Sequence, residues 1–120
     1  MENYKFSKSH EWVKEEGNNV VKIGLSDYAQ SELGDIVYVN LPEVGAKVEM
    51  GTAFTDVESV KAVSEVFSPV TGTITAINEE LTDSPELINN APYDAWIIEV
   101  EVSEAEELMT EEQYAEFCKQ

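Results

Sequence analysis

The sequence contains no arginine and only 7 lysines, against 25 aspartates and glutamates, for a net charge of −18. A surface this acidic repels phosphate backbones, which excludes ordinary nucleic-acid binding, and it disfavours anionic membrane surfaces for the same reason. No apolar run approaches the roughly 20 residues needed to cross a bilayer. Cys118 is the one cysteine, so an internal disulfide and a cysteine-based metal site are both excluded. His10 is the one histidine, and no nucleophile motif accompanies it. Glycine-rich phosphate loops are missing too. Most enzyme classes have thereby lost their usual parts, and a carrier, binding or interaction module is the better expectation. The opening residues Met1–Lys5 hold no apolar signal region, so the expected compartment is the cytoplasm.

What is present is enough for a core. The 120 residues are 42% hydrophobic, which suits one domain over 1–120. Alternation dominates the first hundred residues. Strands are expected at Val20–Leu25, Ile36–Leu41, Thr52–Ser59, Ala62–Ser68, Thr73–Asn78 and Trp96–Val102, with a short one over Val48–Met50. Ser26 is placed to cap a short helix over Asp27–Leu33, which Gly34 would end. Pro42–Gly45 and Pro69–Gly72 read as turns, and Glu79–Tyr93 as a long surface loop. Two pairs have capping-box spacing near the C-terminus, Ser103 with Glu106 and Thr110 with Gln113. One or two helices are therefore expected within Glu104–Lys119, packing Leu108, Met109, Tyr114 and Phe117 on the sheet. The fold class is mainly β, a small antiparallel sandwich or flattened barrel with a short internal helix and a C-terminal helix.

Lys61 stands apart. It is the only cation from residue 48 to residue 118, a span that holds 17 acids. Two extended runs meet at Ser59-Val60-Lys61-Ala62, where a tight reversal would ordinarily use Gly, Asn, Asp or Pro. A turn built from residues poor at turning points to another requirement on the sequence. An exposed Val60 beside an exposed Lys61 would suit an enzyme that modifies the lysine. Acylation would remove its charge and lengthen its stem into an arm that visits several active sites at high effective concentration. A plain solvated turn lysine is the competing reading.

Glu58-Ser59-Val60-Lys61-Ala62-Val63-Ser64-Glu65, followed by Ser68-Pro69-Val70-Thr71-Gly72, resembles the lipoyl-attachment region of the glycine cleavage system H-protein family. Ser9-His10-Glu11-Trp12-Val13, Gly24–Gln30, Leu33–Val39, Leu41–Gly45 and Pro85–Asn89 resemble further family segments in order, over about residues 4 to 117. The resemblance implies a fold of the lipoyl/biotinyl-carrier (hammerhead) type with the lysine on a hairpin. It implies a carrier, not an enzyme, with lipoate amide-linked to Lys61. Its partners would be the pyridoxal-phosphate glycine decarboxylase (P protein), the tetrahydrofolate-dependent aminomethyltransferase (T protein), dihydrolipoamide dehydrogenase (L protein), and a lipoate ligase or lipoyl/octanoyl transferase. Glu58, Ser59, Val60 and Ala62 fall at the recognised tip. The cleft that shelters the aminomethyl-loaded arm falls on Ser9, Glu11, Glu32 and Glu65, with Leu25, Leu33 and Ala62 as apolar wall. Glu32 stands where relatives often carry histidine. His10 is read as a packing and hydrogen-bonding residue near this cleft, and Trp96 as core. A monomer without metal is expected.

The sequence also departs from the family pattern. Pro92-Tyr93-Asp94-Ala95-Trp96 is one residue shorter than the usual segment and lacks its glycines, and Glu99 and Glu101 add charge to the last strand. These departures leave open a relay that passes lipoyl groups to 2-oxoacid dehydrogenase subunits or to another lipoyl-dependent system. The Val60-Lys61-Ala62 tip lacks the paired methionines of a biotin carrier. The acidity predicts steering toward basic partner surfaces that weakens with salt.

Overall fold

The computed structural model describes residues 4–105 and 107–119. Two antiparallel sheets form, and neither closes into a barrel. The larger contains β1 (Tyr4–Phe6), β2 (Glu11–Gly17), β3 (Val20–Leu25), β5 (Lys47–Val48), β8 (Val70–Ile77) and β9 (Ile98–Ala105), in the order β1-β2-β3-β9-β8-β5. The smaller contains β4 (Ile36–Val39), β6 (Ala53–Ser59) and β7 (Val63–Phe67), in the order β4-β6-β7. Ile23, Ile74, Ile98 and Val100 of the first sheet bury against Val39, Val57 and Val66 of the second. The mainly β expectation holds, and the alternation that predicted it is the alternation of this shared core.

Helix α1 occupies Asp27–Leu33, as the capping signals require. The Ser26 hydroxyl accepts the Ala29 N–H at 3.1 Å, and Gly34 ends the helix at φ 80°, ψ −159°. That backbone conformation is essentially confined to glycine. At the other end of the chain the Thr110–Gln113 capping box forms and opens α4 (Glu111–Cys118). The expected Ser103 cap does not form. Strand β9 continues through Ala105, so Ser103 lies within the strand at a register shift, where its hydroxyl donates to Thr71 O at 3.1 Å. Glu106, its expected capping partner, lies outside the described residues.

Other differences share one cause: a partner distant in sequence overrides a local signal. Pro69–Gly72 is not a turn, because Val70 already pairs with Ala105 and Gly72 with Val102. The chain bends at Pro69 as it crosses from one sheet to the other, and the Ser68 hydroxyl donates to Val70 O at 2.6 Å. The expected loop Glu79–Tyr93 folds into α2 (Glu80–Asp83) and α3 (Leu87–Asn90), each one turn long and each burying one apolar residue, Leu81 or Ile88. Strands β1 and β2 were not anticipated. They pair with each other and extend the larger sheet beyond β3. Trp12 on β2 lies buried across from Gly24, where a Cβ would come within 2.6 Å of the indole. Trp96 is only partly buried, and its ring carries Lys22 Nζ at 4.9 Å from the centroid.

Candidate functional site

Strands β6 and β7 form a hairpin that turns through Ser59–Ala62, with Val60 and Lys61 as the central residues. Neither loop residue has a positive φ, so glycine and asparagine are not needed there. Side-chain and neighbouring backbone groups do the work of turn residues. The Ser59 hydroxyl accepts the N–H of Lys61 at 3.1 Å and of Ala62 at 3.2 Å. Ser59 N–H donates to Ala62 O at 2.8 Å, and Val60 N–H donates to Asp35 O at 3.0 Å. Every backbone N–H from Ser59 to Ala62 is therefore held, and the tip is a fixed platform for an exposed Lys61.

The lysine side chain runs along the end of α1. A Cβ placed on Gly34 would lie 3.3 Å from Lys61 Cε and 3.8 Å from Nζ. The corner beneath it is locked by Asn89 of α3. That side chain accepts the Ile36 N–H at 2.8 Å and donates to Gly34 O and Gln30 Oε1, both at 2.9 Å. Asn89 thus explains why the Glu79–Tyr93 segment is ordered: it supports the surface along which the lysine lies. Spacing alone does not reveal this, because the bonds span more than fifty residues.

Beyond Gly34 a cleft of about 360 Å³ opens between α1, the Ser9–Glu11 segment and β7. Ser9, Glu11, Leu25, Glu32, Leu33 and Glu65 all line it, together with His10, Tyr28, Ala29 and Ser64. The structure thus brings the six predicted cleft positions together from four separate stretches of sequence. Ala62 is not among the lining residues. Its N–H and carbonyl are both committed to the hairpin turn, which keeps it at the tip.

Glu11 is buried at 1% exposure. A buried carboxylate needs donors, and three residues supply them. Ser7 Oγ donates to Oε1 at 2.6 Å, Ser9 Oγ donates to the same oxygen, and the Phe67 N–H reaches Oε2 at 3.3 Å. Glu32 and Glu65 are exposed at the mouth. The cleft therefore offers carboxylates at its inner and outer ends and an aliphatic wall of Leu25, Ala29 and Leu33. That combination fits a ligand with an apolar body and a cationic end.

His10 forms part of the rim in a left-handed conformation, φ 73°. Its ring lies 4.5 Å from Tyr28 and contacts Tyr114 and Phe117 of α4. Burial lowers its pKa from the ordinary value, and the nearby Glu32 opposes that shift. Among the described residues no cluster of three or more His, Cys, Asp or Glu is arranged to hold a metal ion.

Comparison with known proteins shows the family. The family model described as glycine cleavage H-protein matches residues 4–120. The chain belongs to the glycine cleavage H-protein family. The glycine cleavage system H protein of Bacillus cereus (strain AH187) is 57% identical over 122 residues, covering 98% of this chain and 95% of the relative. That of Bacillus anthracis (strain A0248) is 56% identical over the same length and coverage. A crystal structure of a glycine cleavage system H protein from Mycobacterium marinum superposes with a TM-score of 0.91 at 32% identity, covering 98% of each chain. The solved relative agrees with the lipoyl-carrier fold, and in this chain Asp94 and Ala95 lie outside both hairpin and cleft.

Proposed function

We infer that this chain is the lipoyl carrier of the glycine cleavage system, moving the glycine-derived one-carbon unit between the P, T and L proteins. Lys61 is the attachment site in this reading. The observation that carries it is the tip itself: a lone exposed lysine on a fully hydrogen-bonded hairpin, with its stem lying against Gly34, the residue after the cleft-lining Leu33.

Attached lipoate would supply a dithiolane able to take up and release cargo. The residues present fit such a group. Lys61 provides an amine for amide formation, and an amine attacks only after losing its proton. In that step the Nζ–acyl bond forms as the bond from the acyl carbon to its activating group breaks, and the amine proton leaves to a base of the partner enzyme. Gly34 leaves room for the stem to pass. Leu25, Ala29 and Leu33 would face the apolar ring and exclude water, while Glu11, Glu32 and Glu65 would hold the cargo's ammonium. Ser9 positions the Glu11 carboxylate. A water-poor pocket protects cargo that water would otherwise remove.

The chain acts as a carrier rather than an enzyme in this reading, as a monomeric single domain in the cytoplasm. A lipoate ligase or lipoyl/octanoyl transferase would modify it, meeting Glu58, Ser59, Val60 and Ala62. Among the described residues no helix is long and apolar enough to cross a membrane.

The test is intact mass with peptide mapping after incubation with lipoate, ATP and a lipoate ligase. One lipoyl increment on Lys61 is expected, followed by service as a substrate of glycine decarboxylase. Lys61→Arg should lose both, because guanidinium is not acylated. Glycine cleavage supported by Lys61→Arg would refute the assignment. Transfer of the group to an acceptor lipoyl domain without glycine decarboxylation would favour the relay.

A further inference from the structure

Large apolar side chains are conspicuously exposed on one side of the smaller sheet. Val37 is 55% exposed, Tyr38 47%, Val60 66% and Val63 63%, and all four lie on β4, β7 or the hairpin tip. Val37 and Tyr38 are adjacent in sequence, so a regular strand would turn one of them inward. An irregularity between Ile36 and Tyr38 in the β4–β6 pairing prevents that, and the burial pattern along Ile36–Val39 is buried, exposed, exposed, buried. Bulges of this kind re-aim side chains and are frequent beside functional sites.

The register makes these residues neighbours. Tyr38 pairs with Glu58, and Glu58 pairs with Val63, so the aromatic ring and the valine flank the carboxylate on one face. One step further along the same face Asp56 pairs with Glu65. Val60, bonded to Asp35, joins the row to the base of Lys61. The result is an apolar strip studded with acids that leads directly to the lysine.

We propose that this outer face of the β4-β6-β7 sheet is the docking surface for the enzyme that acylates Lys61, and that the partner presents an apolar shelf bordered by lysines or arginines. The proposal rests on Lys61 being the attachment site. The acylating enzyme must bring its acyl donor to Nζ itself, so it has to close over the hairpin and the strands behind it. Enzymes that act at the far end of a completed arm have no such need. A second copy of this chain is a poor occupant, because two such faces would set Asp56, Glu58 and Glu65 against their own copies. A cationic rim complements them instead.

Threonine has nearly the shape and β preference of valine, so Val37→Thr/Val63→Thr keeps the strands while removing apolar contact. Val63→Lys adds a charge that a basic rim would repel. With lipoate, ATP and a lipoate ligase, both variants should raise the KM for this protein about ten-fold or more, with kcat little changed. Direct titration of unmodified chain with ligase should show the same loss. Val44→Thr, on the turn before β5, controls for general surface effects and should match wild type. Equal KM values for wild type and both face variants overturn the proposal, as does a wild-type dimer that the variants dissolve. Failure of the wild type to be acylated at all would instead remove the Lys61 reading.

Discussion

His10 Nδ1 and the Tyr114 hydroxyl meet at 2.7 Å across 104 residues of sequence. The same hydroxyl lies 2.6 Å from the fully buried Ser26 Oγ, which also accepts the Ala29 N–H that starts α1. Hydrogen accounting favours one direction. Ser26 donates to Tyr114 and Tyr114 donates to His10 Nδ1, which leaves no buried hydroxyl proton idle. Helix α4 therefore braces both the His10 rim and the cap of the helix that carries Glu32 and Leu33.

Tyr114→Phe removes that one oxygen and keeps the ring stacked 4.5 Å from Phe6. The loss should destabilise the fold by about 1–3 kcal/mol, because His10 and Ser26 lose a shared partner. Denaturant unfolding measures it. Lipoylation at Lys61 should continue at the wild-type rate, while the loaded arm, kept without the folate-dependent partner, should lose its cargo faster.

His10 gives a pH signature. Its folded pKa is depressed by burial below the ordinary 6.5, so the unfolded chain binds the proton more readily. The stability tied to neutral His10 is fully present above about pH 6.5 and declines as pH falls through that value toward the folded pKa. Relief of the −18 charge acts in the opposite direction, so the readout is the difference between wild type and His10→Asn. Asparagine tolerates the positive φ. The wild-type advantage should shrink as pH falls below about 6.5. A constant difference would show that His10 titrates identically in both states.

Glu11→Gln keeps the shape but replaces one carboxylate oxygen with an NH2 group. The oxygens of Glu11 receive Ser7, Ser9 and the Phe67 N–H, so at least one donor would then face a donor. A stability loss of about 1–3 kcal/mol is expected, together with faster loss of cargo from the arm. Glu65→Gln, at the exposed mouth, should spare stability and still shorten the cargo lifetime. Identical lifetimes in both variants and wild type would remove the ammonium-holding role.

Gly34→Ala should cost about 1–3 kcal/mol from its backbone conformation alone. Its Cβ would also press on the Lys61 stem at 3.3 Å. The expected second effect is a displaced arm, measured as weaker burial of the attached group in the cleft by hydrogen exchange or NMR shifts of Leu25 and Leu33. Asn89→Ala should mimic the stability loss, because it releases the same corner.

Local chemistry was legible wherever the decisive contacts are near in sequence. Ser26 and Gly34 bounded α1 as read, Thr110 and Gln113 capped α4, and alternation marked most strands because one face of each is buried. Lys61 was visible through its isolation among acids. Glu79–Tyr93 read as a loop because its polar composition hides two buried anchors, Leu81 and Ile88. Ser103 was misread as a cap because its strand is fixed by pairing with Thr71 and its neighbours, more than thirty residues away.

The sequence by itself determined that this is an acidic, β-rich chain with one singular lysine, since charge, alternation and capping are properties of residues and their immediate neighbours. Only the tertiary structure decided that Glu11 is buried under three donors, that Gly34 makes room for the lysine stem, and that Tyr114, His10 and Ser26 form one chain of hydrogen bonds. Those facts depend on which distant segments pack together, and packing is set by the whole core rather than by any stretch of sequence.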